Sequence, residues 1–247
     1  MTTAVHVDLP VGSADVLPSI AAAAWPDRAA LRTASRTVTF AELDRAVSRL
    51  AFGLRQRLGG DGLTIAVSAV PGQEFPVAFH GIVRSGNIAA PVDPRVPAGE
   101  LADFLAVSRA GAAVLDRATY DRVRSVLPGS LELVALLDAP AAPGVPTCAE
   151  LMTGGALLVE PRDRDERGPA AIMPGLLTHH TLKARAAQLA LTPDTVLLNA
   201  APAYDPVMLC AGLLGGATQL LSRHPDRSLR HSATHVATEL GLLTVAA

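Results

Sequence analysis

Apolar positions recur along this chain at two spacings, one typical of helices and one of strands. Between Leu43 and Leu58 they return every three or four residues, which predicts an amphipathic helix. Thr39 and Glu42 have the spacing of a capping box and would open this helix, and Gly59 would end it. The same spacing predicts shorter helices along the rest of the chain.

Short, almost wholly apolar runs lie between these helices. They predict strands over 63–70, 88–92, 112–115, 131–137, 170–173, 196–199, 218–221 and 242–246, after two short strands within 31–40. Helices are predicted over 16–25, 73–85, 98–109, 117–126, from 178 to 191, and over 207–214 and 233–240, with a short one near 149. Strands that alternate with helices at this spacing indicate parallel βαβ units. The predicted fold class is α/β, with layered parallel β-sheets flanked by helices.

Two segments of different composition suggest how the chain is divided. Residues 139–146 form an Ala/Pro/Gly linker, and residues 161–168 form a charged stretch that we interpret as a solvated connection. Residues 1–14 have little pattern and are interpreted as an arm. We expect a first α/β lobe with its linker over residues 1–168 and an incomplete second α/β lobe over residues 169–247.

Composition narrows the class of protein. Hydrophobic residues make up 49% of the 247 residues and charged residues 18%, yet no apolar run reaches the length of a membrane span. The net charge of -2 gives no electrostatic footprint for nucleic acid, and no secretory signal is visible. Cys148 and Cys210 are far apart and have no zinc-ligand spacing, which indicates a reducing compartment and no structural zinc. We expect a cytoplasmic protein with no membrane and no nucleic-acid partner, and no metal or bound cofactor.

The stretch from Pro169 to Lys183 carries the main candidate chemistry. It predicts a strand that runs through a turn at Pro174-Gly175 into a helix with Thr178 as its N-cap. Many α/β enzymes bind phosphate at such a junction, on a glycine-rich loop backed by a helix N-terminus. Here no such loop separates strand and helix, so the stretch has the setting of a phosphate site without its donors.

Histidines offer weaker alternatives. His179 and His180 are interpreted as a helix start with one packed and one exposed ring, and His231 and His235 as a surface pair on a helix. No carboxylate lies between the second pair as in a zinc-binding H-E-x-x-H, and no Gly-x-Ser-x-Gly elbow occurs. No residue is therefore predicted to be catalytic.

An ordered set of segments carries a resemblance to a known family. These are Val38-Thr-Phe-Ala-Glu-Leu43, the run from Ile65 through Pro76-Val-Ala-Phe-His-Gly-Ile-Val-Arg-Ser-Gly86 to Ala90-Pro-Val-Asp-Pro94, Leu177-Thr-His179 and Asn199-Ala-Ala-Pro-Ala-Tyr204. Together they resemble the N-terminal part of the adenylate-forming enzymes, which include acyl-CoA synthetases, acyl-AMP ligases and peptide-synthetase adenylation domains. The resemblance implies that Tyr204, Asp205, Thr178 and His179 lie at a substrate site, although the simpler interpretation of Asp205 is a helix N-cap.

Departures from the family pattern shape the functional hypothesis. The family's Ser/Thr/Gly-rich phosphate loop is replaced by Met173-Pro174-Gly175, and Lys183 lies out of register inside the next helix. The family's later motifs, for adenine, ribose, magnesium and the catalytic lysine, have no counterpart before residue 247. Losing one pre-organised donor typically costs roughly 100- to 1,000-fold in rate, and several are missing together. The resemblance therefore implies a truncated, degenerate member that does not adenylate by itself.

Three hypotheses follow. The first is a non-catalytic protein that binds itself or a biosynthetic partner, such as a ligase or a carrier protein. The second is an enzyme of altered chemistry, or one completed in trans by a partner chain. The third is a protein that binds a small acyl or aryl acid. An incomplete sheet with an unpaired edge and high apolar content favours the first hypothesis, with a homo-oligomer as its simplest form.

Overall fold

The computed structural model describes residues 9–138, 142–153, 165–173, 175–199, 205–222, 232–238 and 241–244. The helices are α1 (Leu17–Ala24), α2 (Phe40–Leu58), α3 (Glu74–Ser85), α4 (Ala98–Val107), α5 (Arg117–Val123), α6 (Cys148–Leu151), α7 (His179–Ala187) and α8 (Pro206–Gly215). The strands are β1 (Ala29–Arg32), β2 (Thr37–Thr39), β3 (Thr64–Ser68), β4 (Ile88–Val92), β5 (Ala110–Leu115), β6 (Leu133–Leu136), β7 (Pro169–Met173), β8 (Gly175–Thr178), β9 (Val196–Asn199), β10 (Thr218–Leu220), β11 (His235–Thr238) and β12 (Gly241–Thr244). A 3-10 turn at Ala14–Val16 precedes α1.

The strands form two six-stranded sheets. Sheet I has the order β6-β5-β3-β4-β7-β8, and sheet II has the order β12-β11-β9-β10-β1-β2. Inner strands pair in parallel, whereas β2, β8 and β12 each run antiparallel to their neighbour at an edge. The predicted α/β class with layered sheets and flanking helices is confirmed, and the antiparallel edges are an addition to it.

Each half of the chain contributes one pair of strands to the sheet that the other half mainly forms. The early pair β1–β2 joins sheet II, where Leu31 lies opposite Gln219 of β10. The later pair β7–β8 joins sheet I, where Ala171 lies opposite Ala89 of β4. The division at residue 168 stays a prediction, and these pairings cross it in both directions.

The main core lies between the two sheets. It contains buried side chains from α1, α2, α3, α7 and α8 together with strand residues of both sheets. Helices α4 and α5 cover the other face of sheet I, where Leu105 and Val123 pack against Ala66 and Ala113. Sheet I is therefore covered on both faces, which explains why β3 and β5 are buried along their whole length.

Helix α2 begins and ends at the residues that the sequence indicates. Glu42 N donates to Thr39 Oγ1 at 3.2 Å, and Thr39 N donates to Glu42 Oε2 at 2.9 Å, so the predicted capping box is formed. Gly59 closes the helix in a left-handed conformation with a φ of 64°. Short helix α6 then packs on α2 at Gly53, where an added Cβ would lie 2.1 Å from the carbonyl oxygen of Leu151.

The helix predicted over 233–240 is wrong. Residues His235–Thr238 form β11, which pairs in parallel with β9 so that Ala237 lies opposite Asn199 with 2% of its surface exposed. The β-branched residues of this segment favour a strand once β9 offers an edge to pair with. His235 therefore lies on a strand and not on a helix with His231, which falls outside the described residues. The last predicted strand, over 242–246, corresponds to β12 (Gly241–Thr244), and residues 245 and 246 lie outside the described residues.

The sequence predicted that no segment is long and apolar enough to span a membrane. In the described ranges, none of the helices combines the length and apolar character that crossing a bilayer requires.

Candidate functional site

The candidate phosphate position is occupied by a tight antiparallel hairpin. Met173 at the end of β7 pairs directly with Gly175 at the start of β8, so a single position of the chain separates the two strands. Gly175 has a φ of 101°, which only glycine adopts readily. The sequence predicted a turn at Pro174-Gly175 that leads directly into the helix, and it missed strand β8, because Gly175–Thr178 pairs with β7 before α7 begins.

The start of α7 is held by contacts within the chain. Thr178 caps the helix as predicted, since its Oγ1 accepts from Thr181 N at 3.1 Å. His179 is 4% exposed, and its Nδ1 accepts from Ala14 N at 3.2 Å. The side chain of His180 is 58% exposed. One packed and one exposed ring is the predicted arrangement, and the contacts of Thr178 and His179 position the helix.

Lys183, the only lysine of the chain, is fully buried beneath the N-terminal arm. Its ammonium donates to the carbonyl oxygens of Pro10 and Gly12 and lies 3.1 Å from Glu166 Oε1. An ammonium has three N–H donors, so these acceptors can satisfy all of them. Lys183 is thereby committed to fixing the arm against α7.

Glu166 completes this cluster from the charged segment. Its Oε1 also accepts from Gly12 N at 2.8 Å, and the hydrogen bond from Lys183 lowers the pKa of the Glu166 carboxyl. The interpretation of residues 161–168 as only a solvated connection is therefore wrong at Glu166. The sequence could not predict this pairing, because Glu166 and Lys183 lie in different elements and are not separated by a helical or strand repeat.

Asp205 occupies the N-cap of α8. Its Oδ1 accepts from Val207 N at 2.8 Å, and burial raises the pKa of its carboxyl while Arg185 of α7 opposes that shift. Tyr204, the neighbouring candidate, lies outside the described residues. Helices α7 and α8 pack against each other, so Thr178, His179 and Asp205 stand on adjacent helices. Their role in binding a substrate stays a prediction.

Comparison with known proteins decides the family. A family profile described as AMP-binding enzyme matches residues 19–173, which is more than half of the chain. The chain belongs to the AMP-binding enzyme family. The match ends at Met173, the residue that immediately precedes the hairpin turn.

Members of the AMP-binding enzyme family to which this chain is similar are longer. It is 31% identical over 248 aligned residues to the salicyl-AMP ligase / salicyl-S-ArCP synthetase of Mycobacterium tuberculosis, which covers 86% of this chain and 43% of that protein. It is 28% identical over 206 aligned residues to the phosphinothricin tripeptide synthetase PhsC of Streptomyces viridochromogenes, covering 74% of this chain and 17% of that protein. The chain therefore spans less than half the length of both relatives.

Solved structures give the same result for the fold. The apo structure of Mycobacterium smegmatis MbtA matches with a TM-score of 0.74 at 25% identity, covering 91% of this chain and 46% of the other. A long-chain-fatty-acid-CoA ligase (FadD1) from Archaeoglobus fulgidus matches with a TM-score of 0.80 at 18% identity, covering 93% of this chain and 52% of the other. The expected resemblance to the N-terminal part of adenylate-forming ligases is confirmed.

Proposed function

We propose that this member of the AMP-binding enzyme family does not adenylate a carboxylic acid and acts by binding a protein at the edge strand β8. The observation that carries the proposal is the direct pairing of Met173 with Gly175 in the β7–β8 hairpin. The partner is either a second copy of this chain or another protein of the biosynthetic pathway in which it works.

The hairpin supports the loss of adenylation because its described residues offer no cradle for phosphate. A phosphate loop presents several free backbone N–H groups and hydroxyls to the ligand. Here the two strands pair as far as Met173 and Gly175, and the one residue between these in the sequence is a proline, which has no N–H to offer. The next side chain, Leu176, is apolar and 61% exposed.

The groups around the hairpin support the same conclusion. A helix N-terminus attracts phosphate through its free N–H groups. At α7 the Thr178 side chain accepts from Thr181 N, and the Lys183 ammonium is held by the arm and Glu166. The cation and one of the donors nearest to the hairpin in sequence are thus already bound within the chain.

The position of β8 in its sheet supports protein binding. In the described part of the chain sheet I ends at β8, and Leu176 projects from that strand with most of its side chain exposed. A terminal strand of this kind can accept another strand by main-chain pairing, with an apolar side chain adding contact area.

Pyrophosphate exchange tests the catalytic half of the proposal. The purified chain, with ATP and a panel of aryl, fatty and amino acids, should incorporate no labelled pyrophosphate above a protein-free blank. The salicyl-AMP ligase assayed in parallel serves as the positive control. Exchange with any acid at a rate proportional to the amount of this chain would overturn the assignment.

Light scattering coupled to size-exclusion chromatography tests the binding half. The chain should elute as an oligomer or as a complex with its partner, and Leu176→Lys should dissociate the assembly. Val107→Lys is the matched control, since Val107 is an apolar residue at the end of α4 that is 85% exposed and does not belong to β8 or its neighbouring strand. An assembly that survives Leu176→Lys, or one that Val107→Lys disrupts equally, contradicts a β8 interface.

A further inference from the structure

A cavity of about 980 Å³ lies away from the hairpin, between α2, the start of α3, the end of β6 and α6. Its volume is at the upper end of the roughly 300–1,000 Å³ typical of small-molecule sites. None of the residues around the β7–β8 hairpin or the α8 N-cap lines it. The cavity is therefore a separate feature of the first part of the chain.

Part of the cavity wall is apolar. Val38 from β2, Val77 from α3, Leu137 after β6 and Met152 after α6 supply aliphatic and thioether surface. Cys148 adds a buried thiol, and burial raises its pKa to about 12. This cysteine stays protonated at neutral pH and offers an apolar surface instead of a nucleophile.

Three arginines give one part of the wall a cationic character. Arg45 and Arg49 are four residues apart on α2, so both guanidinium groups leave the same face one turn apart, and Arg36 adds a third from the β1–β2 turn. Across the described ranges no carboxylate forms an ion pair with any of the three. They are available to bind an anion bidentately.

Three carboxylates also line the cavity, and two of them are engaged by backbone donors. Glu42 Oε2 accepts from Thr39 N at 2.9 Å in the capping box, and Asp138 Oδ1 accepts from Arg117 N at 3.1 Å. Glu74, in the first turn of α3, is the carboxylate with no such contact in the described residues. The anionic groups are thus mainly tied to the fold, unlike the arginines.

A buried acceptor lies next to Glu74. The Oε1 atom of Gln73 is buried and has no donor within the described part of the chain. Buried acceptors in native proteins are nearly always satisfied, so Gln73, a residue that lines the cavity, has an acceptor that a bound donor would satisfy once the amide turns toward it. Gln73 and Glu74 together offer acceptors at the start of α3, in the same cavity that the arginines line.

We infer that this cavity binds an organic anion with an apolar body and a separate hydroxyl or amine donor. The anionic group binds the guanidinium groups of Arg45 and Arg49, the apolar body covers Val77 and Met152, and the donor reaches Gln73 Oε1. This inference goes beyond the proposed function and does not depend on the β8 edge.

Calorimetric titration with matched octyl compounds tests each part of this inference. ω-Hydroxyoctanoate should bind with one-to-one stoichiometry, and octanoate should bind more weakly by roughly 2- to 10-fold, the contribution of one neutral hydrogen bond. Octanol and octylammonium should bind more weakly than octanoate by roughly tenfold or more, because neither can pair with a guanidinium group.

Variants assign the binding to the cavity. Arg45→Ala combined with Arg49→Ala should weaken ω-hydroxyoctanoate by roughly tenfold or more, whereas Arg57→Ala, an exposed arginine at the end of the same helix, should change nothing. Gln73→Leu should abolish the preference for the hydroxylated acid. Circular dichroism and thermal unfolding of each variant verify that it is folded before titration.

Several results would overturn the inference. They are no binding of either acid at millimolar concentration, equal binding of octanol and octanoate, and affinity unaltered by the double arginine variant. Binding that Arg57→Ala reduces as much as the double variant would show a nonspecific charge effect and equally exclude the cavity.

Discussion

Lys183 Nζ lies 3.1 Å from Glu166 Oε1, and Lys183 is fully buried while the Glu166 side chain is 31% exposed. This pair, with the carbonyl oxygens of Pro10 and Gly12, attaches the N-terminal arm to α7. The two partners should respond differently to substitution.

Glu166→Gln should destabilise the protein more than Lys183→Met. The glutamine leaves the buried ammonium without its counter-charge, which costs about 3 kcal/mol, whereas methionine removes that charge and leaves unpaired carbonyl groups at roughly 1–3 kcal/mol. Urea unfolding measures both, and amide hydrogen exchange should show faster exchange over residues 9–13 in either variant. Equal stability of both variants and the unaltered chain would contradict this role.

The His80 ring should make the protein sensitive to mild acid. Burial, with a smaller effect from Arg84, lowers the pKa of His80 from 6.5 to about 3. Between these values the unfolded chain takes up a proton that the folded chain does not, so stability is complete above pH ~6.5 and falls as the pH is lowered toward ~3. Urea unfolding at constant ionic strength over this range measures the slope.

Substitution of His80 separates its contribution from that of the carboxylates. His80→Leu should flatten the slope because it removes the titrating ring. The substitution breaks no hydrogen bond in the described residues, since both ring nitrogens lack a hydrogen-bond partner there. His235→Leu, at a partly exposed ring on β11, is the control and should leave the slope unchanged. Identical slopes for His80→Leu and the unaltered chain would exclude His80 as the cause.

Arg84 should be one of the most sensitive positions of the first half of the chain. It is fully buried on α3, where Nη1 contacts Asp44 Oδ1 and Ser48 Oγ at 2.8 Å each and Nη2 contacts Asp15 O at 2.8 Å. Asp44→Asn keeps the shape and removes the counter-charge, so we expect a loss of about 3 kcal/mol in the free energy of unfolding. Arg57→Met, at an exposed arginine, is the control and should stay within roughly 0.5 kcal/mol.

Glycine substitutions should distinguish the α2–α6 contact from ordinary helix propensity. Gly53→Ala forces α6 away because the new Cβ would lie 2.1 Å from Leu151 O, with an expected cost of roughly 1–3 kcal/mol. Gly99→Ala, in α4 with nothing within 4 Å, should instead stabilise by about 0.4–1 kcal/mol. Thermal unfolding of the two variants gives the sign, and a stabilising Gly53→Ala would contradict the close contact.

Local signals predicted the fold where a few neighbouring residues decide the structure. The Thr39–Glu42 capping box, the caps at Thr178 and Asp205 and the apolar strands β3 to β5 follow from short-range spacing. β11 could not be recognised in this way, because the edge of β9 decides its conformation. The cluster around Lys183 could not be predicted for the same reason, since its hydrogen-bond acceptors come from the distant N-terminal arm and from Glu166.

The exchange of hairpins between the sheets also sets the order in which the chain can fold. Leu31 of β1 must wait for Gln219 of β10, which a ribosome adds on the order of 10 to 40 s later at about 5–20 residues per second. Until then β1 and β2 have no neighbouring strand of sheet II to join. Cleavage near residue 168 would give two fragments that each lack a hairpin supplied by the other, so they should fold only by complementation.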